Sequence, residues 1–157
     1  MPTIHLTTVI HAPRERVFDL SRSIGLHKKS MERTREEPIK GKTSGLISYG
    51  ESVTWQAKHL GKLRQLTTKI TAMDKNVHFT DEMEEGDFTF MKHDHYYKEI
   101  GNGTVMIDLM EFGTPYGWLG RMVERFYLVN YMTKLLCLRN DTIKEYAESD
   151  KWRVILD

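Results

Sequence analysis

The fold of this protein is decided by residues 52–112, SVTWQAKHLGKLRQLTTKITAMDKNVHFTDEMEEGDFTFMKHDHYYKEIGNGTVMIDLMEF. Val53, Trp55 and Ala57 alternate with polar residues, which is the period of a strand with one buried face. Short turns rich in glycine, asparagine and aspartate interrupt the stretch at 61, 74–76, 86–87 and 101–103. The pattern therefore predicts an antiparallel meander with strands at 53–59, 63–73, 77–83, 88–100 and 104–112.

One long apolar helix is predicted after the meander, over residues 118–148. From Leu119 to Cys137, apolar residues recur at steps of three and four, and further apolar residues widen the face that they form. Such a helix is either covered by a curved sheet or shared with a second subunit. A curled sheet closed by a single helix encloses a space, and such a space suggests a small-molecule guest.

The N-terminal part adds a strand and two short helices. Residues 3–11 alternate between two faces and predict the first strand. Pro13 suits the first turn of a helix over residues 14–20, and a thinner, basic helix is predicted over residues 24–31.

The segment before the meander predicts an edge strand and a loop. Residues 32–37 are charged, as edge strands often are, and Pro38 is expected to end this strand. Residues 41–50 contain three glycines and predict a loop. We expect this loop to act as the lid of the cavity, with the mouth near Phe112 and Tyr116.

Length and composition predict one domain, and the net charge favours neither of two classes of partner. The chain has 157 residues, a net charge of +1 and 29% charged residues. We assign residues 1–149 to a single domain and residues 150–157 to a C-terminal tail. Because acidic and basic residues are balanced, neither a nucleic acid nor an anionic membrane is favoured as a partner by net charge.

Cysteine content and hydropathy predict the cellular location. The single cysteine, Cys137, excludes an intramolecular disulfide and a cysteine-based zinc site, and we expect it to be a small core residue. Residues 1–10 lack the pattern of a signal peptide, and no stretch approaches the roughly 20 apolar residues of a membrane helix. We therefore expect a cytoplasmic protein with no stable membrane insertion.

Several short motifs carry a resemblance to a known superfamily. They are HAP at 11–13 followed by VF at 17–18, GESVTW at 50–55, FTD at 79–81, GDF at 86–88, HDH at 93–95 and PYGWLGR at 115–121. With these motifs the chain resembles the helix-grip superfamily of START domains and birch-pollen-allergen-like proteins, often called SRPBCC. Within it, the chain resembles a bacterial, polyketide-cyclase-like subgroup.

The resemblance implies an α+β helix-grip fold. A seven-stranded curved antiparallel sheet would wrap around the long C-terminal helix, with two short helices after the first strand and a cavity between sheet and helix. Ligands in the superfamily are lipids, sterols, plant hormones, aromatic polyketides and quinones, so the resemblance does not decide between binding and catalysis. The oxygenase branch carries an additional iron–sulfur domain that this chain lacks, and we do not expect that activity.

The pair His93 and His95 is the sharpest local signal for chemistry. Because the two histidines are two residues apart on a predicted strand, their imidazoles lie on the same face of the sheet and could bind one metal ion. A third ligand would come from a neighbouring strand, and the candidates are His59, Asp81, Asp108 and Glu111. The alternatives are a solvent-facing or cross-strand structural pair, or histidines that line the cavity with their tautomer set by an aspartate. We predict no metal and no cofactor.

Aromatic and methionine side chains supply a candidate lining for the cavity, since both types adapt to planar or hydrocarbon guests. The ligand-binding residues that we predict are Trp55, His59, Phe79, Phe90, His93, His95, Met106, Met110, Phe112, Met122 and Phe126.

These observations predict a protein that binds a hydrophobic or aromatic small molecule, such as a lipid, polyketide or quinone-like compound. The alternative is a cyclase or dehydratase that acts on a polyketide-like substrate, with His59, His93, His95 and Asp81 as the acid/base cluster. A third class, a partner-binding module, would use the apolar surface of the long helix and leaves open a homodimer.

Overall fold

A computed structural model describes residues 2–156 of the protein. Its seven strands form one antiparallel sheet in the order β1-β7-β6-β5-β4-β3-β2. The strands are β1 (Thr3–Ile10), β2 (Glu37–Gly41), β3 (Ser52–His59), β4 (Lys62–Asp74), β5 (His78–Glu85), β6 (Phe90–Ile100) and β7 (Gly103–Gly113). The helices are α1 (Arg14–Ser21), α2 (Ile24–Ser30), α3 (Gly117–Val123), α4 (Val129–Ala147) and α5 (Trp152–Leu156). The predicted helix-grip fold is confirmed.

The β6–β7 hairpin sets the register of the sheet's inner face. Its turn joins Ile100 to Gly103, so that His95 lies opposite Asp108. On β6, His93 and His95 are buried whereas the intervening positions are more exposed, as strict alternation requires.

The core lies between the inner face of the sheet and the helices. Phe18 on α1 is fully buried and packs edge-on against Phe79 and Tyr97, with ring centroids 5.7 and 5.3 Å apart. Trp152 and Leu156 of the C-terminal segment pack against the same core. A second cluster around Met91, Met110, Phe112 and Leu136 fills the opposite part of the sheet. No helix within residues 2–156 is long and apolar enough to cross a membrane.

The predicted edge strand is displaced along the chain. Glu32–Thr34 forms one 3-10 turn, and the strand is instead β2, Glu37–Gly41. Pro38 lies inside β2 opposite Trp55 rather than ending the strand. An edge strand tolerates a proline because it needs hydrogen bonds on one side only.

Cys137 is exposed, so its expected place in the core is wrong. The buried side of α4 is set by Leu136, Arg139, Asn140 and Ile143. Because each residue advances the side chain by about 100° around a helix, Cys137 is turned away from the sheet.

The long C-terminal helix has a wide turn within it. α3 and α4 are joined by a π-helical segment, Glu124–Leu128. The Glu124 side chain folds inward and accepts hydrogen bonds from the backbone N–H and the hydroxyl of Thr114, both at 2.6 Å. This contact ties the helix to the end of β7.

Candidate ligand cavity

A cavity of about 660 Å³ lies between the inner face of the sheet and the helices. That volume is within the range of small-molecule sites, about 300–1,000 Å³. Most of the surface that lines it is apolar, from β3 to β7, α1 to α4 and the Glu124–Leu128 segment. Six of the predicted ligand-binding residues contribute to the lining: Trp55, His59, Phe79, His93, His95 and Met110.

Five predicted residues are not among the lining side chains: Phe90, Met106, Phe112, Met122 and Phe126. Phe90 belongs to the alternate face of β6 from His93. Met106 and Phe112 are on the inner face but fully buried within the two core clusters. Met122 on α3 and Phe126 in the π-helical segment are 47% and 69% exposed.

The buried end of the cavity holds the two histidines, stacked on each other. Their ring centroids are 3.7 Å apart, and Phe79 stacks on the other side of His95 at 4.1 Å. His93 Nε2 is 2.8 Å from Asp108 Oδ1 on the neighbouring strand. The stack fixes both rings against the sheet and leaves little rotational freedom.

His95 bridges a carboxylate and a guanidinium. Its Nε2 lies 2.6 Å from Asp81 Oδ2, and its Nδ1 lies 3.3 Å from Arg139 Nη2. The Asp81 carboxylate can only accept, so His95 Nε2–H donates to it. His95 Nδ1 also lies 3.3 Å from Asp108 Oδ1, so this nitrogen faces a donor, Arg139, and an acceptor, Asp108, at equal distance.

Arg139 and Asn140 on α4 complete this network, and the sequence analysis did not select them. Arg139 Nη1 donates to Asp108 Oδ1 at 3.2 Å, and Asn140 Nδ2 donates to Asp108 Oδ2 at 2.8 Å. Both residues are buried. Two consecutive polar residues in phase with buried Leu136 and Ile143 were the signal that could have identified them.

Burial and hydrogen bonds shift the pKa values of the network in a consistent direction. Burial lowers the pKa of His93, and the neighbouring His95 lowers it further. Burial raises the pKa of Asp108, but hydrogen bonds from both histidines and the charge of Arg139 outweigh burial and hold it well below its usual value. For Asp81 burial also raises the pKa, but the hydrogen bond from His95 and the charges of both histidines and Arg139 together outweigh burial and lower it. Both aspartates are thus ionised near neutral pH.

His59 belongs to a different group of residues. Its Nδ1 is 2.7 Å from the hydroxyl of Tyr131 on α4. Burial lowers its pKa, and the negative charge of Glu36 partly opposes that effect. Glu36 is itself paired with His27 at 2.7 Å. The predicted four-residue acid/base cluster is therefore divided: His93, His95 and Asp81 are together, and His59 is elsewhere in the cavity wall.

Asp81, His93 and His95 also meet the distance requirement of a metal site, since one ligand atom of each lies within 4.8 Å of the others. However, the Nε2–H of His95 bonds Asp81, and Arg139 occupies the other ring nitrogen. A metal ion would have to displace one of these bonds and bind beside a guanidinium. The donor set fits a hydrogen-bonded network better than a metal centre, and the absence of a metal stays a prediction.

The exposed lining residues mark the mouth. Most lie at the β3–β4 turn and in residues 116–123, including Leu60, Lys62, Tyr116 and Leu119, and the exposed Asp87 of the β5–β6 turn also lines the cavity. Ile47 from the 41–50 loop also lines the cavity but is buried. The mouth is therefore at the expected Tyr116 but not at Phe112, which is fully buried.

Comparison with known proteins supports the fold. No protein-family model and no curated protein sequence matches the chain. Among solved structures, TTHA0849 from Thermus thermophilus is 18% identical, with a TM-score of 0.70 over 90% of this chain and 97% of that one. Ginseng major latex-like protein 151 from Panax ginseng is 13% identical, with a TM-score of 0.69 over 94% of this chain and 98% of that one. Ara h 8.0201 is 15% identical, with a TM-score of 0.68 over 93% of this chain and 97% of that one.

These structural neighbours and the sheet topology show the fold: the chain has a helix-grip fold similar to those of Ara h 8.0201 and the ginseng latex-like protein. At such low sequence identities the similarity establishes the fold alone. Function has to be argued from the cavity.

Proposed function

We propose that this protein binds an apolar or aromatic small molecule in the cavity between the sheet and α4. The observation that carries the proposal is a largely apolar space of about 660 Å³ that opens between the β3–β4 turn and α3. Burial of apolar guest surface supplies about 25 cal/mol per Å² of driving force. Trp55, Phe79 and Met110 offer flat and deformable contacts for such a guest.

The polar network would set the orientation of the guest in the cavity. Asp81, His95 and Arg139 line the buried end of an otherwise apolar space. A few convergent polar groups in an apolar pocket are the usual means of setting the direction of a guest. We infer that the guest places a polar substituent at this end and its hydrocarbon or ring system toward the mouth.

A second candidate function is cyclisation or dehydration of a polyketide-like substrate. It is favoured by the His95–Asp81 pair, which lines the cavity and is joined by a 2.6 Å hydrogen bond. In that reaction Asp81 would accept a proton, while the Arg139 guanidinium would stabilise negative charge that develops on a carbonyl oxygen. His59 takes no part because it bonds Tyr131 instead.

Binding is tested by reducing the volume of the cavity. Ala57 is buried on β3 and lines the cavity, so Ala57→Phe places a ring inside it. We expect the variant to lose most of its uptake of the apolar fluorophore N-phenyl-1-naphthylamine. The adjacent Gln56 does not line the cavity, and Gln56→Phe is the matched control. Equal uptake by both variants and the parent protein would refute binding in this cavity.

Native mass spectrometry of the purified protein then addresses the identity of the guest and the oligomeric state. A bound compound of defined mass that is lost in Ala57→Phe would identify the natural class. Catalysis is distinguished by Asp81→Asn, which should retain uptake of the fluorophore and abolish turnover of the compound found. Cytoplasmic location stays a prediction.

A further inference from the structure

An apolar face is exposed beside the mouth. It comprises the exposed apolar side chains of residues 116–127, which we call the rim surface: Tyr116, Trp118, Leu119, Met122, Val123, Phe126 and Tyr127. Tyr116 is 83% exposed, Phe126 69% and Trp118 67%. A contiguous exposed apolar face of this kind marks an interaction site rather than ordinary surface.

Every exposed charged side chain of residues 116–127, the segment that carries the rim surface, is positive. Arg121 and Arg125 are exposed, whereas the acid between them, Glu124, is buried and bound to Thr114. The inward Glu124 therefore leaves no carboxylate on the outer side of this segment. Although the net charge of the whole chain is only +1, this face is locally cationic.

A second segment of the same character flanks the mouth. At the β3–β4 turn, Leu60 and Leu63 are 47% and 62% exposed, and Lys58 and Lys62 beside them are also exposed. Leu60 and Lys62 line the same cavity as Tyr116 of the rim surface. The opening is thus bordered on two sides by apolar side chains with interspersed cations, and the exposed acid in its lining, Asp87, is paired with Arg64 at 2.7 Å.

We propose that the rim surface docks on an anionic lipid surface, with the mouth of the cavity facing the bilayer. Trp and Tyr are the side chains that favour the membrane interface, and helices that lie in it combine apolar anchors with Lys or Arg. Anionic headgroups attract the arginines over about one Debye length. Docking of this kind is peripheral and needs no membrane-spanning helix.

The charge pattern favours lipid over a second copy of the chain. In a two-fold dimer the same patch meets itself, so Arg121 and Arg125 of both copies would approach each other. The exposed side of residues 116–127 offers no carboxylate to compensate them. Anionic headgroups supply the missing negative charge.

The test is sedimentation of the full chain with lipid vesicles that carry no guest, so its outcome does not depend on the proposed function of the cavity. We expect binding to phosphatidylcholine vesicles with about 30 mol% phosphatidylserine, at least about tenfold tighter than to pure phosphatidylcholine, and weakened by about 0.5 M NaCl. The double variant Arg121→Glu/Arg125→Glu should reduce binding to the anionic vesicles by about tenfold or more. Trp118→Ala/Phe126→Ala should weaken binding at every salt concentration.

Matched controls lie on other faces of the molecule. Arg33→Glu/Lys40→Glu changes the net charge by the same amount, and Tyr49→Ala/Val154→Ala removes exposed apolar groups elsewhere. Both should bind vesicles like the parent protein. Absence of binding to anionic vesicles, or equal losses in the rim and control variants, would overturn the proposal. So would a dimer in light scattering that Trp118→Ala/Phe126→Ala dissociates while the parent protein ignores vesicles.

Discussion

His95 and Asp81 are joined by a 2.6 Å hydrogen bond across β5 and β6 at the buried end of the cavity. The bond is one part of a network in which two ionised aspartates, two stacked histidines and one arginine are balanced against each other. Asp81 also lines the cavity, whereas Asp108 lies behind the histidines and is fully buried. The two carboxylates therefore have separable roles, one toward the guest and one toward the fold.

The different burial of the two aspartates predicts different costs of substitution. Asp108→Asn leaves Arg139 buried without its counter-charge and should lower the free energy of unfolding by about 3–5 kcal/mol. Asp81→Asn weakens one hydrogen bond at the cavity wall and should cost about 1–3 kcal/mol. Urea unfolding measures both, with exposed Asp141→Asn on α4 as a control expected within about 0.5 kcal/mol of the parent. Equal costs for the two aspartates would contradict the assignment.

The network also predicts how stability depends on pH. The folded state holds His93 with a lowered pKa, so below its ordinary value of 6.5 the unfolded chain binds a proton that the folded chain does not. The free energy of unfolding should therefore fall as the pH drops below about 6.5. A second loss should begin near the ordinary aspartate value of 3.8, because the pKa values of Asp81 and Asp108 are also lowered.

Thermal unfolding between about pH 5 and 8 separates the histidine contribution. His93→Gln should flatten the slope below the ordinary histidine pKa of 6.5, even though the variant is less stable overall. The exposed His5→Gln should leave that slope unchanged. A parent protein that gains stability on acidification over this range would show that His93 is protonated in the folded state.

The contact between His59 and Tyr131 predicts an effect on exchange of the guest. It links the end of β3 to α4 close to the mouth. Tyr131→Phe removes only the hydroxyl, and its loss should cost about 0.5–1.5 kcal/mol. If the contact holds the mouth closed, release of N-phenyl-1-naphthylamine in stopped-flow should accelerate by about two- to tenfold, the factor equivalent to that energy. Tyr127→Phe, at an outward position, should release the probe at the parent rate.

The start of α3 depends on a glycine. A Cβ at Gly120 would overlap the carbonyl oxygen of Pro115 and crowd the hydroxyl of Thr114. Gly120→Ala should therefore displace this end of the helix and lower the free energy of unfolding by about 1–3 kcal/mol. Gly101→Ala, where a Cβ meets no other atom within 4 Å, is the control and should be tolerated. Identical unfolding curves for the two variants would mean that α3 can shift without cost.

Alternation within single elements could be predicted from the sequence, and contacts between distant elements could not. The two-residue spacing places His93 and His95 on one face, and the structure buries both. The sequence left four acidic or histidine residues as candidate partners of this pair. Only the register of β6 with β5 and β7 shows that Asp81 and Asp108 are the ones close enough to contact the histidines. Periodicity describes which side of an element a residue occupies, but not which element covers that side.

The other differences have physical causes of the same kind. Arg139 was missed because its partner, Asp108, is 31 residues away in the chain. Phe90 was assigned to the cavity although it is out of phase with the histidines that follow it on β6. Met122 and Phe126 fit an uninterrupted apolar helix, but the π-helical segment between α3 and α4 alters the rotational phase of the residues before α4.

The π-helical turn gives the two parts of the C-terminal helix different rotational settings. In a regular helix, residues 117–147 would follow one phase of about 100° per residue. With Glu124–Leu128 inserted, the side chains of α3 are oriented independently of the phase that aligns Arg139 of α4 with Asp108. A designed change to the exposed side of α3 can therefore leave the buried contacts of α4 in place.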